Sequence, residues 1–233
     1  MKQLYKKFLS SGFADLNLGS YEHMILMYRH NYSRLLPSDE TAKILDIGCG
    51  MGQFLQFLAE DGYENISGVD ISPEAVEFCR EKGINKVKQI DDLVEFLNTS
   101  EVYDLIVLND VIEHFPKEKG IVILQKIYEK LRIGGKIIIK TGNMSSLAGL
   151  RLRYDDFTHY DGFTEYSLTQ VLKACNFKNI GIYPFVFPLN RLTRIIRFAV
   201  QTVIHLLWKA VYFFEFTAPP KIVDEIIFAV AKK

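Results

Sequence analysis

Three glycines at alternating positions, Gly48, Gly50 and Gly52, break an apolar stretch that runs Leu45-Asp46-Ile47-Gly48-Cys49-Gly50-Met51-Gly52-Gln53-Phe54-Leu55. A short strand pattern, Lys43 to Leu45, precedes them, and Phe54, Leu55 and Leu58 follow at helical spacing, so the chain must go from strand through tight turn to helix. Glycine admits φ > 0 and lets a ligand approach where a Cβ would collide. The helix that follows aims free N–H groups at the same point. A small-molecule site is therefore expected at this turn. It is not a dinucleotide fingerprint, because the third glycine comes one place early and Gln53 stands where that fingerprint has glycine, nor a P-loop, because no G-K-[ST] follows. Instead Asp46 precedes the first glycine, and a carboxylate repels phosphate but attracts an ammonium group. The second strand, Ile66 to Val69, ends in Asp70, where an acid can accept from both hydroxyls of a ribose.

Ammonium at one end and ribose at the other describe S-adenosyl-L-methionine. Leu45 to Gly52 resembles motif I of the class I S-adenosylmethionine-dependent methyltransferases, and Gly68-Val69-Asp70-Ile71-Ser72 resembles their acidic second-strand end. Tyr103-Asp104-Leu105-Ile106-Val107-Leu108-Asn109-Asp110-Val111-Ile112-Glu113-His114 is similar to their fourth-strand motif, and Leu131-Arg132-Ile133-Gly134-Gly135-Lys136-Ile137-Ile138-Ile139 to their fifth. The resemblance covers roughly residues 40–185. It implies an α/β, doubly wound, seven-stranded Rossmann-like sheet, mostly parallel, whose last strand runs antiparallel at the sheet edge. It also implies cofactor contacts from Asp46, Gly48, Cys49, Gly50, Gly52, Asp70, Ile71, Asp92, Leu93, Asn109 and His114.

The 233 residues suit one domain, 1–233. Lys+Arg and Asp+Glu both number 28, which leaves no global field for nucleic acid. Three cysteines, Cys49, Cys79 and Cys175, form no C-x-x-C pair and suit a reducing compartment. The amino terminus has no apolar run of signal-peptide length. A cytoplasmic protein is expected, with peripheral contact at the inner membrane face.

Along the chain, residues 1–40 read as a helical segment that, by resemblance, covers the cofactor, with Tyr28, Arg29 and His30 either touching it or serving as core and solvated residues. Ser72-Pro73 starts a helix to about Lys82, ended by Gly83. Strand three spans Lys86 to Ile90. After it, Asp92 in preference to Asp91 resembles the residue that takes the adenine amino group, and it reads equally as the N-cap of a helix from Leu93 to Leu97. Strand four (Leu105 to Leu108), a helix (Lys117 to Leu131) and strand five (Lys136 to Lys140) follow. Residues 141–165 read as a long, aromatic, charged substrate loop. Thr164 then caps a helix, Asn179 to Tyr183 is strand six, and Ile226 to Ala231 is strand seven.

Between the last two strands lies a helical insertion, residues 186–224. Polar residues Arg194, Arg197, Gln201, His205 and Lys209 recur every three or four positions and form one stripe on an otherwise apolar helix. No uninterrupted apolar run approaches the ~18 residues of a membrane span, so a helix lying in a lipid interface is expected rather than one crossing it. Two arrangements fit residues 190–216: contact with a membrane surface, which Arg191, Arg194 and Arg197 favour, or packing on the domain or on a second subunit as a homodimer.

Methyl transfer needs alignment and exclusion of water, and an alcohol acceptor also needs a base. His159 is the candidate base, with Asp156, Asp155 or Asp161 to orient it; a loop-ordering role fits it equally. By resemblance His114 lines the cofactor pocket. No metal is expected, since Asp155, Asp156 and His159 lack a clear third ligand, and Cys49 reads as a packing residue rather than a nucleophile. The run Asp156 to Leu168 with the apolar-basic insertion is similar to bacterial methyltransferases of cell-surface polysaccharide pathways, which implies a small-molecule or glycan acceptor. The competing expectations are a methyltransferase for a quinone or other lipophilic molecule and a non-catalytic cofactor-binding partner of a membrane glycan enzyme.

Overall fold

The computed structural model describes residues 21–233. Residues 1–20, which include the first half of the expected cofactor-covering segment and the stretch read for a signal peptide, lie outside the described residues. Along the chain run α1 (Tyr21–Tyr32), β1 (Ile44–Ile47), α2 (Gln53–Glu60), β2 (Ile66–Asp70), α3 (Pro73–Glu81), β3 (Val87–Gln89), α4 (Leu93–Thr99) and β4 (Tyr103–Asn109). A 3-10 turn (Ile112–His114) follows, then α5 (Lys117–Lys130), β5 (Leu131–Gly142), α6 (Gly149–Tyr154), α7 (Glu165–Ala174), β6 (Lys178–Pro184), α8 (Leu192–Phe216) and β7 (Ile226–Lys232).

The strands form one seven-stranded sheet in the order β3-β2-β1-β4-β5-β7-β6. Only β7 runs against the others, pairing antiparallel with both β5 and β6. Strand β4 is apolar from Leu105 to Leu108 because both of its faces are covered. Ile106 and Leu108 join Leu97 of α4, Ile123 of α5 and Leu172 of α7, whereas Leu105 and Val107 join Tyr32 of α1 and Phe54 and Phe57 of α2. Register then fixes the site: Ile47 lies opposite both Val69 and Leu108, so Gly48, Asp70 and Asn109 leave the sheet at one rim. This is the carboxyl edge, with the order reversing between β1 and β4, where open α/β sheets bind ligands.

Three expectations are corrected. Strand β7 is not at the sheet edge: it is inserted between β5 and β6, and β6 is the edge strand. A fully apolar strand such as Ile226 to Ala231 belongs in the interior, whereas β6 has no fully buried residue. Residues 141–165 are not an irregular loop. They contain α6, an Asn143–Phe163 bridge, and a Thr164–Ser167 capping box that starts α7. The third correction concerns α8. Apart from the exposed Arg197, its polar stripe turns toward the domain: Arg194 donates to Asn190 Oδ1 (2.7 Å), His205 lies 3.9 Å from Asp224 and Lys209 Nζ donates to the Lys221 carbonyl (2.6 Å), and beside them Trp208 Nε1 donates to the Ser145 carbonyl (2.9 Å). The apolar residues point outward, so the basic stripe does not reach for headgroups along its length. By length and composition alone α8 is also long and apolar enough to cross a membrane.

Candidate functional site

At the β1 turn, Gly48 (φ 70°) and Gly50 (φ 50°) take the left-handed conformation that glycine permits. A Cβ on Gly48 would lie 2.4 Å from Val111 Cγ2, whereas one on Gly50 would meet nothing within 4 Å. Gly50 thus opens on free space. Its N–H donates to Asp70 Oδ2 (2.8 Å), and Asp70 Oδ1 accepts from the Ser72 N–H (2.8 Å). The carboxylate ties the two crossing loops together and keeps lone pairs on both oxygens for further donors. Burial raises its pKa, and the backbone donors oppose that rise.

A cavity of about 380 Å³ opens beside this turn. Of the sequence-predicted residues, Gly48, Gly50, Asp70, Ile71, Asp92, Leu93 and His114 line it. Asp92 fulfils its capping role as well, accepting from the Val94 and Glu95 N–H groups while Lys119 donates to its other oxygen (2.9 Å). The Lys119 contact holds its carboxyl below the usual range. Val111, Phe115 and Tyr160 also line the cavity and were missed; Val111 stands within the quoted β4 motif and Phe115 just past it, which was the available signal for both.

The remaining candidates stand behind the wall. Asp46 is buried, and its Oδ1 has no hydrogen-bond partner among the described residues. Burial, followed by the charge of Asp70, raises its pKa well above the carboxylate range. Cys49 turns inward: a hydrogen bond with Cys79 and burial raise its thiol pKa, consistent with packing rather than nucleophilic use. Gly52 is needed for packing too, as a Cβ there would sit 2.7 Å from Ile84 Cδ1. Asn109 Oδ1 accepts from Tyr32 Oη (3.0 Å), anchoring α1 rather than lining the cavity. On α1 itself Tyr28 is core, His30 is exposed, and Arg29 pairs with Glu60 and Asp61 of the α2 end.

Beyond His114 the wall includes Tyr160, and residues 156–159 adjoin it along the chain. His159 Nδ1 lies 2.9 Å from the Leu152 carbonyl; a carbonyl only accepts, so Nδ1 carries the hydrogen and neutral Nε2 keeps a lone pair. Asp156 does not orient the ring from behind as expected. Its Oδ2 stands 3.9 Å from Nε2, while its Oδ1 accepts from the Thr158 N–H and Oγ1 (both 2.7 Å). Asp155 is taken by Arg151, and Asp161 lies 3.6 Å from Lys117. The His114 and His159 rings are 4.7 Å apart, and burial followed by the His159 charge lowers the pKa of His114. One ligand atom from each of His114, Asp156 and His159 lies within 4.8 Å of the others.

Two buried charged residues lie near Asp110, which is half exposed and itself lines the cavity. Lys140, 2% exposed, is closely paired with Asp110 and sits over the Phe185 ring (5.2 Å). Glu113 is 4% exposed, and burial, reinforced by the Asp110 charge, pushes its pKa up to about 8. The folded protein thus keeps a proton that the unfolded chain releases above about 4.5. Stability contributed by this group is complete below that value and is lost as pH rises toward 8. Glu113→Gln should flatten the slope, so that the variant gains on the order of 3 kcal/mol relative to wild type between pH 5 and pH 8. Urea unfolding at the two pH values measures this, and an unchanged difference would mean that Glu113 is ionised in the fold.

The sequence model of the family described as methyltransferase domain matches residues 21–181. Phosphoethanolamine N-methyltransferase of Plasmodium falciparum is 30% identical over 152 residues, 61% of this chain and 56% of that protein. Ubiquinone biosynthesis O-methyltransferase of Idiomarina loihiensis is 31% identical over 106 residues, 43% of this chain and 42% of that protein. The chain spans about half the length of the curated relatives it matches. Among solved structures, a SAM-dependent methyltransferase from Archaeoglobus fulgidus superposes with a TM-score of 0.71 at 24% identity, covering 95% of this chain and 98% of that one. The fold is that of these enzymes, and by the family match across most of its length this chain belongs to the methyltransferase-domain family.

Proposed function

We propose that the chain is an S-adenosyl-L-methionine-dependent methyltransferase acting on a hydroxyl of a small acceptor. The observation that carries this reading is Asp70, tied to the Gly50 N–H and lining one cavity with Gly48, Ile71 and Leu93. The cavity lining fits the group: Asp70 offers a ribose acceptor, and Ile71, Leu93 and Phe115 an apolar wall for a base, while Asp46 stands buried behind the Gly48 turn. Bound there, the sulfonium supplies an electrophilic methyl for in-line displacement. The chain's own tasks are to orient the acceptor, exclude water and receive its proton at His159 Nε2, after which Asp156 Oδ2 at 3.9 Å stabilises the imidazolium.

For the acceptor we favour a saccharide or sugar-linked group in cell-surface glycan assembly, on the resemblance carried by residues 156–168. A quinone or other lipophilic acceptor is the second reading, favoured by the outward apolar face of α8 and by the names of the ubiquinone-biosynthesis relatives. Calorimetry separates the cofactor claim from its rivals: heat is expected with S-adenosylmethionine and its demethylated product and none with NAD(P). The reverse pattern would remove the proposal. Labelled methyl transfer into fractionated extracts then distinguishes a glycan from a quinone acceptor, and turnover by the isolated chain excludes a purely non-catalytic partner.

A further inference from the structure

We propose that α8 lies in the interface of an anionic phospholipid bilayer, its outer half sunk among the acyl chains and the domain riding on the surface. At 3.6 residues per turn, Ile196, Val203, Leu207 and Phe214 fall on the side of α8 opposite Arg194, His205 and Tyr212, with Ile195 and Phe213 on its flank. The separation is nearly complete. None of the residues of α8 is fully buried, and exposure reaches 57% at Ile196, 65% at Leu207 and 85% at Phe214. This apolar arc covers about half the circumference along about 37 Å of helix. A single helix partner fills a narrower seam, as in a coiled coil, whereas a lipid interface covers the whole arc.

Both ends of α8 are held to the same sheet rim, so it cannot cross the bilayer despite its length. Arg194 Nη1 bonds Asn190 Oδ1, just past β6. At the far end, the Lys221 and Ile222 N–H groups donate to Glu165 (3.0 and 3.1 Å), and Asn143 Nδ2 donates to the Asp224 carbonyl (2.9 Å). The helix is thus laid along the domain as a float. Charge selects the lipid: Arg191 is exposed at the amino-terminal end, and Arg197 is exposed there too, over the Phe187 ring (5.7 Å), placing two cations at the rim of the apolar arc. Leu150 (77% exposed) and Phe157 (84% exposed) extend the outward apolar surface on residues 147–157, the segment next to Ser145, which holds Trp208.

Vesicle flotation with the full chain tests this. The protein is expected to float with phosphatidylglycerol–phosphatidylcholine vesicles, and Ile196→Glu/Leu207→Glu, which alters only outward side chains, is expected to bind more than tenfold more weakly with unchanged far-UV circular dichroism. Arg197→Gln should weaken binding about fivefold on these vesicles and little on pure phosphatidylcholine. Flotation of wild type with these vesicles does not depend on any variant folding. Wild type that stays in solution, or a double variant that floats equally well, overturns the proposal. So does a lipid-free dimer that the double variant splits, which would assign the face to a second copy.

Discussion

Asp70→Ala is expected to reduce affinity for S-adenosylmethionine by about a hundredfold or more while leaving the chain folded. Two hydroxyl hydrogen bonds to a carboxylate contribute about 1.5–3 kcal/mol each, and either end of that range, doubled, exceeds a hundredfold. The side chain has a second task, accepting from the Gly50 and Ser72 N–H groups. Its loss frees the turn, which adds to the affinity loss and costs stability on the order of 1–2 kcal/mol. Asp70→Asn separates the contributions. It keeps one acceptor oxygen but replaces the other with a donor facing an N–H, so it should bind between wild type and Ala. Isothermal titration with the demethylated product and a thermal melt read both quantities. Affinity within threefold of wild type for Asp70→Ala would mean that the ribose lies elsewhere, and the assignment of the whole crevice would fail with it.

What could be read from the chain follows from the range of the forces involved. The β1 turn and the Ser72 and Asp92 caps depend on residues within a few positions of one another, and they stand where local spacing puts them. The apolar β4 run announced a doubly covered strand for the same reason. The order of β6 and β7 did not follow, because an edge position is a relation between distant strands. Nor was the facing of α8 evident. Its periodicity showed a polar stripe, but a stripe is the same whether it meets water, headgroups or carbonyls such as Ser145 and Lys221. Asn109 and Cys49 show a further limit: motif position put them at the site, while side-chain direction took Asn109 to Tyr32 and Cys49 to Cys79. Conversely, Asp110 and Lys140 meet only when β4 and β5 pair, and the raised pKa of Glu113 follows from burial in the folded chain.

His159→Ala should lower turnover by about 10²–10⁴-fold with cofactor affinity unchanged, since His159 is not on the cavity wall that Asp70 and Leu93 share. The direction of the effect comes from the ring's fixed tautomer: Nδ1–H is committed to the Leu152 carbonyl, so Nε2 is the atom left to take a proton. Asp156→Asn tests the second half of the argument. It keeps an acceptor for Thr158 but removes the charge beside Nε2, and should cost less than His159→Ala, roughly tenfold in turnover, because the imidazolium then forms without its counter-charge. A structural role for His159 would give a different pattern. Loosening residues 152–160 would displace Tyr160 from the cavity wall, raising acceptor KM and lowering thermal stability together, and added imidazole would restore nothing. Steady-state kinetics on the acceptor found by labelled transfer, with imidazole rescue, decides between them; full turnover in His159→Ala would move the base to another residue of the crevice.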